Sequence, residues 1–149
     1  MKPLILIIAL LSMSVFAYEN DSSHAHLSEI LREGGSFIKD YMDKKLEIVK
    51  VDVDIIGGHG IKRIVTKEVS SIFKYGLICI GQDGCIKELE VYVWDIDMKQ
   101  IIATASNQRI VMLDFKPETS TTIVIEITAR MEKACDYTQG YFFLLIGHD

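Results

Sequence analysis

The sequence predicts a mainly β protein, an antiparallel sandwich of two facing sheets preceded by a short helical segment. Three observations carry this expectation. Downstream of Gly57-Gly58-His59-Gly60, apolar residues recur at every second position, the period of a half-buried strand. Roughly six to eight such runs follow one another, separated by turn residues, which is the spacing of an all-β sandwich. Helical periodicity is confined to the stretch before residue 48.

The chain opens on a targeting signal. Lys2 provides a positive start, Leu4 to Leu11 is an uninterrupted apolar run, and Val15-Phe16-Ala17 precedes a cleavage point that leaves Tyr18 first. The apolar stretch is about fourteen residues, short of the roughly 20 that span a bilayer. The expected organisation is a signal peptide over 1–17, a helical segment over 18–47 and a β-sandwich domain over 48–149. The mature protein is then expected to be secreted or periplasmic and not membrane-embedded.

In the helical segment, Asp21-Ser22-Ser23 offers capping side chains. Leu27, Ile30, Leu31, Ile38, Tyr41 and Met42 form one apolar stripe, packed on the domain's surface. Gly34-Gly35 interrupts it; each glycine costs about 1 kcal/mol relative to alanine in a helix interior, so a kink or two short helices are expected, with Ser36 capping the second.

The strands follow in order. Over Leu46 to Ile56, Val49, Val51, Val53 and Ile55 alternate with Lys50, Asp52 and Asp54. Ile61 to Phe73 reads as one long or two short strands, and Tyr75 to Ile80 as the next. Gln82-Asp83-Gly84 is a turn. From Glu88 to Trp94, Leu89, Val91 and Val93 face one side and Glu90, Tyr92 and Trp94 the other. Asp95 to Lys99 turns the chain, and Gln100 to Ala105 returns it. Arg109 to Phe115 is a strand ended by Pro117, which cannot donate to a ladder. Thr121 to Met131 places Ile123, Ile125, Ile127 and Ala129 inward, with Val124 the apolar exception outside. Tyr141 to Ile146 is continuously apolar, as expected of a central strand covered on both faces.

Composition narrows the function classes. The 149 residues suit one domain, and 49% apolar with 25% charged residues is a globular balance. A net charge of −5 without a basic run argues against nucleic acid as a partner. Cys79 and Cys85 flank a glycine-containing turn, and in an oxidising compartment they read as a disulfide. Cys135 is left over, to pair with either of them or to stay a buried thiol. The cysteines lack zinc-ligand spacing, and the glycine-rich turn at 57–60 is not followed by the Lys-Ser/Thr of a phosphate loop. His24-Ala25-His26 diverges on a helix. The pairs Asp52/Asp54 and Asp95/Asp97 are oxygen donors of the kind calcium uses, although turn chemistry and a solvated strand explain them equally, and no cofactor is expected.

A family resemblance sits on this pattern. Cys79 to Cys85 is followed by Leu89-Glu-Val-Tyr-Val-Trp-Asp95, then Ile101-Ile-Ala-Thr-Ala105 and Val111-Met-Leu-Asp-Phe-Lys-Pro117. Thr122-Ile-Val-Ile-Glu-Ile127 and Gly140-Tyr-Phe-Phe-Leu144 close the series. Over residues 75–147 this order resembles the bacterial pre-peptidase C-terminal domain and its small secreted relatives. The resemblance implies a jelly-roll-type sandwich and a non-catalytic module of an exported protein, sometimes one that binds polymers or calcium.

The function expected is therefore that of a secreted, non-enzymatic β-sandwich binding a protein or polysaccharide of the cell envelope. Tyr92, Trp94, Asp95 and Asp97 are the candidate binding residues. Two alternatives stand beside it: a small hydrolase or metal-dependent enzyme using His59, His148 or the acidic pairs, and a structural envelope protein without a ligand.

Overall fold

A computed structural model describes residues 21–58, 60–133, 135 and 139–149. Among these residues one helix, α1 (Asp21–Asp43), precedes eight strands: β1 (Glu47–Gly57), β2 (Lys62–Val69), β3 (Tyr75–Gly81), β4 (Ile86–Asp95), β5 (Ile101–Gln108), β6 (Ile110–Phe115), β7 (Thr121–Met131) and β8 (Gln139–His148). The signal segment 1–17 lies outside the described residues.

The strands form two antiparallel four-stranded sheets, ordered β1-β8-β3-β6 and β2-β7-β4-β5. Only β4 and β5 are sequence neighbours within one sheet; every other connection crosses between the layers. This interleaving is the eight-stranded jelly roll. The core between the layers comes from the alternation seen in the sequence. Leu89, Val91 and Val93 of β4 and Ile123, Ile125 and Ile127 of β7 meet Leu77, Phe142, Leu144 and Ile146 from the opposite sheet.

The odd-numbered side of β8 packs elsewhere. Phe143 and Leu145, with Ile78 and Ile80 of β3, face away from the sandwich and bury against Ile30 of α1. The expectation that β8 is covered on both faces therefore holds, and the helix is the second cover. Only one sheet receives it, so the two can be called the covered and the open sheet.

The helix itself differs from the expected one. It runs through Gly34-Gly35 unbroken. A Cβ on Gly34 would lie 2.5 Å from the Phe143 ring, so helix and sheet approach closely at this glycine, while Gly35 faces open space. Ser36 does not cap a second helix; its hydroxyl donates back to the Glu33 carbonyl at 2.6 Å. Phe37 joins the buried stripe and Met42 leaves it for solvent. Lower down, Tyr41 lies over the cross-strand pair Gly76 and Gly147, where any side chain would displace it. Burial, with Asp114 nearby, raises the pKa of the Tyr41 hydroxyl. Arg109 clips the helix to the sandwich, donating to both Glu33 carboxylate oxygens and to the Gly81 carbonyl, each at 2.8 Å.

Two further expectations need correction. In β1, a register shift between Ile48 and Lys50 divides the predicted apolar face. Val49 joins the inter-sheet core, whereas Val51 and Val53 pack on the helix side. The disulfide joins Cys85 to Cys135, with Cα atoms 4.9 Å apart, and Cys79 is a free, fully buried thiol. The Cys79–Cys85 pairing fails because β3 and β4 belong to different sheets. Cys79 points into the inter-sheet core with Leu77, while Cys85 sits in the crossing that leaves it. The bridge ties the β3–β4 crossing to the β7–β8 crossing at one end of the sandwich.

Candidate functional site

The helix covers one sheet and leaves the outer face of the other unshielded among the described residues. Because Leu89, Val91 and Val93 point into the core, Glu88, Glu90, Tyr92 and Trp94 of β4 must point out. The register fixes their neighbours on β7: Glu88 opposite Arg130, Glu90 opposite Thr128, Tyr92 opposite Glu126 and Trp94 opposite Val124. Across β7, Ile64 of β2 lies opposite Glu126, and on the other side Thr104 and Ile101 of β5 lie opposite Tyr92 and Trp94.

This face spans about 20 Å between Glu88 and Trp94 at the usual strand rise, and its two ends differ chemically. Toward the disulfide end a shallow cleft of about 510 Å³ is lined by Lys62, Glu88, Glu90, Thr128 and Arg130, with Gly60 and Met131 at its margin. Arg130 pairs with Glu88 and Lys62 with Glu126 at 3.0 Å, while Glu90 accepts from the Thr128 hydroxyl at 3.3 Å. Glu126 is only 6% exposed, a carboxylate sunk into the middle of an otherwise open sheet.

Toward the opposite end the face is aromatic and apolar. The Tyr92 and Trp94 rings lie nearly parallel, with centroids 5.9 Å apart and planes 28° from each other. Both are half-buried, and Val124 beside them is buried. Ile64 and Ile101 flank the pair and are exposed, as are Ile96 and Met98 on the β4–β5 turn. The Trp94 indole nitrogen is buried without a hydrogen-bond partner, the one such side-chain group among the described residues.

Asp95 and Asp97 have local roles. The Asp95 carboxylate accepts from the backbone N–H groups of Lys99 at 2.7 Å and Gln100 at 3.1 Å, closing the β4–β5 turn. Met98 takes the left-handed conformation that a glycine would otherwise supply, with φ 53°. Asp97 is exposed and lies 3.7 Å from Lys99. The four candidate residues lie together: two present rings to the open face, and two sit on the turn at its end, where Asp95 holds the backbone and Asp97 is solvated.

The residues of the enzymatic alternative are not gathered. Asp52 and Asp54 lie on β1 of the covered sheet; Asp54 pairs with Arg63 at 2.9 Å. His148 ends β8, its ring stacked on Phe73 at 3.9 Å and its Nε2 3.7 Å from Glu47. Cys135, thirteen residues before it, is held in the disulfide at the other end of the sandwich. His59 lies outside the described residues, and His24 and His26 both belong to α1. Among the described residues no three His, Cys, Asp or Glu side chains converge as a metal site would require. No helix among them is long and apolar enough to cross a membrane.

Sequence reasoning found the aromatic pair by alternation. It missed Glu126, Lys62, Ile64 and the polar cleft, because which strands flank β4 and β7 is set by the jelly-roll crossings and not by chain order.

No family model matches the chain, and no curated protein is similar in sequence. Solved structures are similar in fold. The pre-peptidase C-terminal domain of a Bacillus anthracis collagenase superposes over 65% of this chain and 87% of its own, with a TM-score of 0.50 and 12% identity. A periplasmic inhibitor of g-type lysozyme from Aeromonas hydrophila matches 71% of this chain and 90% of its own, with a TM-score of 0.49 and 9% identity. The resemblance read from residues 75–147 thus holds at the level of fold: the chain is a β-sandwich built like the pre-peptidase C-terminal domain.

Proposed function

We infer that this protein is a non-enzymatic binding module working outside the cytoplasm, and that it holds a partner protein on the outer face of its open sheet. The observation that carries the reading is the half-exposed Tyr92–Trp94 pair, with its orphaned indole N–H, on a face that no described element covers. Aromatic side chains set among Ile64, Ile101 and Val124, with paired charges at the rim, have the make-up of a protein interface, whose centre is apolar and whose edge is polar. The Cys85–Cys135 bridge and the apolar leader at 4–11 support an oxidising compartment. The net charge of −5 speaks against nucleic acid as partner, since the basic groups of this face, Lys62 and Arg130, are already engaged by carboxylates.

A second reading, an envelope polysaccharide, is favoured by the polar cleft that continues the aromatic pair along β4. Trp94 is the only tryptophan, so its fluorescence reports directly on the site. Immobilised protein is exposed to envelope extract beside Tyr92→Ala and Trp94→Ala variants. A protein retained saturably by the parent, perturbing Trp94 emission and weakened roughly thirtyfold (about 2 kcal/mol) by either variant, supports the inference. Retention indifferent to both variants, or no retained protein, refutes it. Co-sedimentation with insoluble polysaccharide that needs both rings would move the assignment to the second reading.

A further inference from the structure

A jelly roll leaves four strand edges, and this chain treats them unequally. β1 and β2 border one lateral side, β5 and β6 the other. Edge strands are commonly blunted by charge, because their unpaired backbone groups are templates for another strand. β1 carries Glu47, Lys50, Asp52 and Asp54, and β2 carries Lys62, Arg63, Lys67 and Glu68. The two are laced together: Arg63 pairs with Asp54 at 2.9 Å and donates to the Ile55 carbonyl at 2.8 Å. β6 carries Asp114, held by Lys74 at 2.8 Å.

β5 lacks the charges of the other three edges and is marked only by bulges near its two ends. Its sequence, Ile101-Ile-Ala-Thr-Ala-Ser-Asn-Gln108, contains no charge and no proline. Among the described residues it pairs with β4 alone. Thr104, Ser106, Asn107 and Gln108 are exposed, and no side-chain hydrogen bond or ion pair of the described residues uses them. Its ladder to β4 shifts register at both ends, and Asn107 is left-handed with φ 67°, so Ala103-Thr104-Ala105 is the regular stretch; with the other ladder empty and its polar side chains unengaged, that stretch is half of a strand pair.

We propose that β5 is the self-association edge of this protein, pairing antiparallel with β5 of a second copy to make one continuous eight-stranded open sheet. The occupant follows from charge and size. Two copies of a chain carrying −5 repel each other, and of the four edges this one places no like charges face to face. A two-fold axis at Thr104 sets threonine opposite threonine on the outer face and Ala103 opposite Ala105 on the inner one, pairs that pack closely across a ladder. Thr104 and Ile101 lie beside Tyr92 and Trp94, so pairing also brings the two aromatic sites onto one surface. The proposal stands on the edge itself and does not depend on what the open face binds.

Sedimentation velocity of the intact mature protein over a wide concentration range tests it, with amide hydrogen exchange at both ends of that range. The expected result is a reversible monomer–dimer equilibrium in which β5 amides are slowed only in the concentrated sample. Thr104→Lys, which sets two cations across the axis, should weaken the dimer about tenfold or more, while Thr104→Val should retain it. Unchanged circular dichroism and Trp94 emission in the dilute monomer confirm that both variants are folded. A monomer at every concentration, a dimer indifferent to Thr104→Lys, or β5 amides protected by a peptide of another protein while the chain stays monomeric would each overturn the proposal.

Discussion

The adjacent glycines of α1 allow the docking of helix on sheet to be tested with two nearly identical changes. In a helix interior, replacing glycine by alanine gains about 1 kcal/mol from backbone entropy. At Gly35 a new Cβ meets nothing within 4 Å, so Gly35→Ala should keep the whole gain. At Gly34 the same methyl would sit 2.5–2.6 Å from three atoms of the Phe143 ring. That ring is 1% exposed and wedged among Ile30, Ile80 and Leu145, so it has no free rotamer to move into. Overpacking of this kind costs about 1–3 kcal/mol, and with three ring atoms involved the upper part of the range applies. The expected outcome is a loss of about 2 kcal/mol for Gly34→Ala against a gain of about 1 for Gly35→Ala. Urea denaturation resolves the difference: 3 kcal/mol separates the two midpoints by roughly 1–3 M at ordinary slopes. Equal effects, or a stabilising Gly34→Ala, would refute the claim that α1 seats its Gly34 on Phe143.

The disulfide closes a separation of 50 residues, which the chain-entropy estimate values at about 4 kcal/mol. Cys135→Ser should lower stability by about that amount at most, and mapping of the non-reduced protein should return the Cys85 and Cys135 peptides joined; a Cys79–Cys85 peptide would reverse the correction. Burial raises the Cys79 thiol above its ordinary value of 9.0, so the folded state keeps this proton after the unfolded chain has lost it. Stability from this group is full below about pH 9 and falls as pH rises beyond it, by about 1.4 kcal/mol per unit. Tyr41, Lys74 and Arg109 are raised as well and add to alkaline loss at higher pH. Cys79→Ala should therefore abolish the earliest part of the decline seen by chemical denaturation near pH 9–10, at the cost of a lower starting stability; an unchanged pH profile would count against a buried, protonated thiol.

Local pattern carried much of this architecture. Whether a residue of β4 or β7 points in or out is a two-residue rhythm that needs no knowledge of neighbours, so Leu89, Val91, Val93 and the outward Tyr92 and Trp94 were legible directly. The uninterrupted run in β8 announced two covers in the same way. Partnership was not legible. Cys85 meets Cys135 across a separation of 50 residues, and Lys62 reaches Glu126, because crossings between layers bring those segments together. Gly34-Gly35 carries the composition of a helix break and was rescued by a contact with Phe143, more than a hundred residues downstream. Alternation is enforced by bond geometry within a strand; pairing is settled by burial of the whole chain at once, and only the folded molecule shows which sheet the helix covers and which face it leaves open.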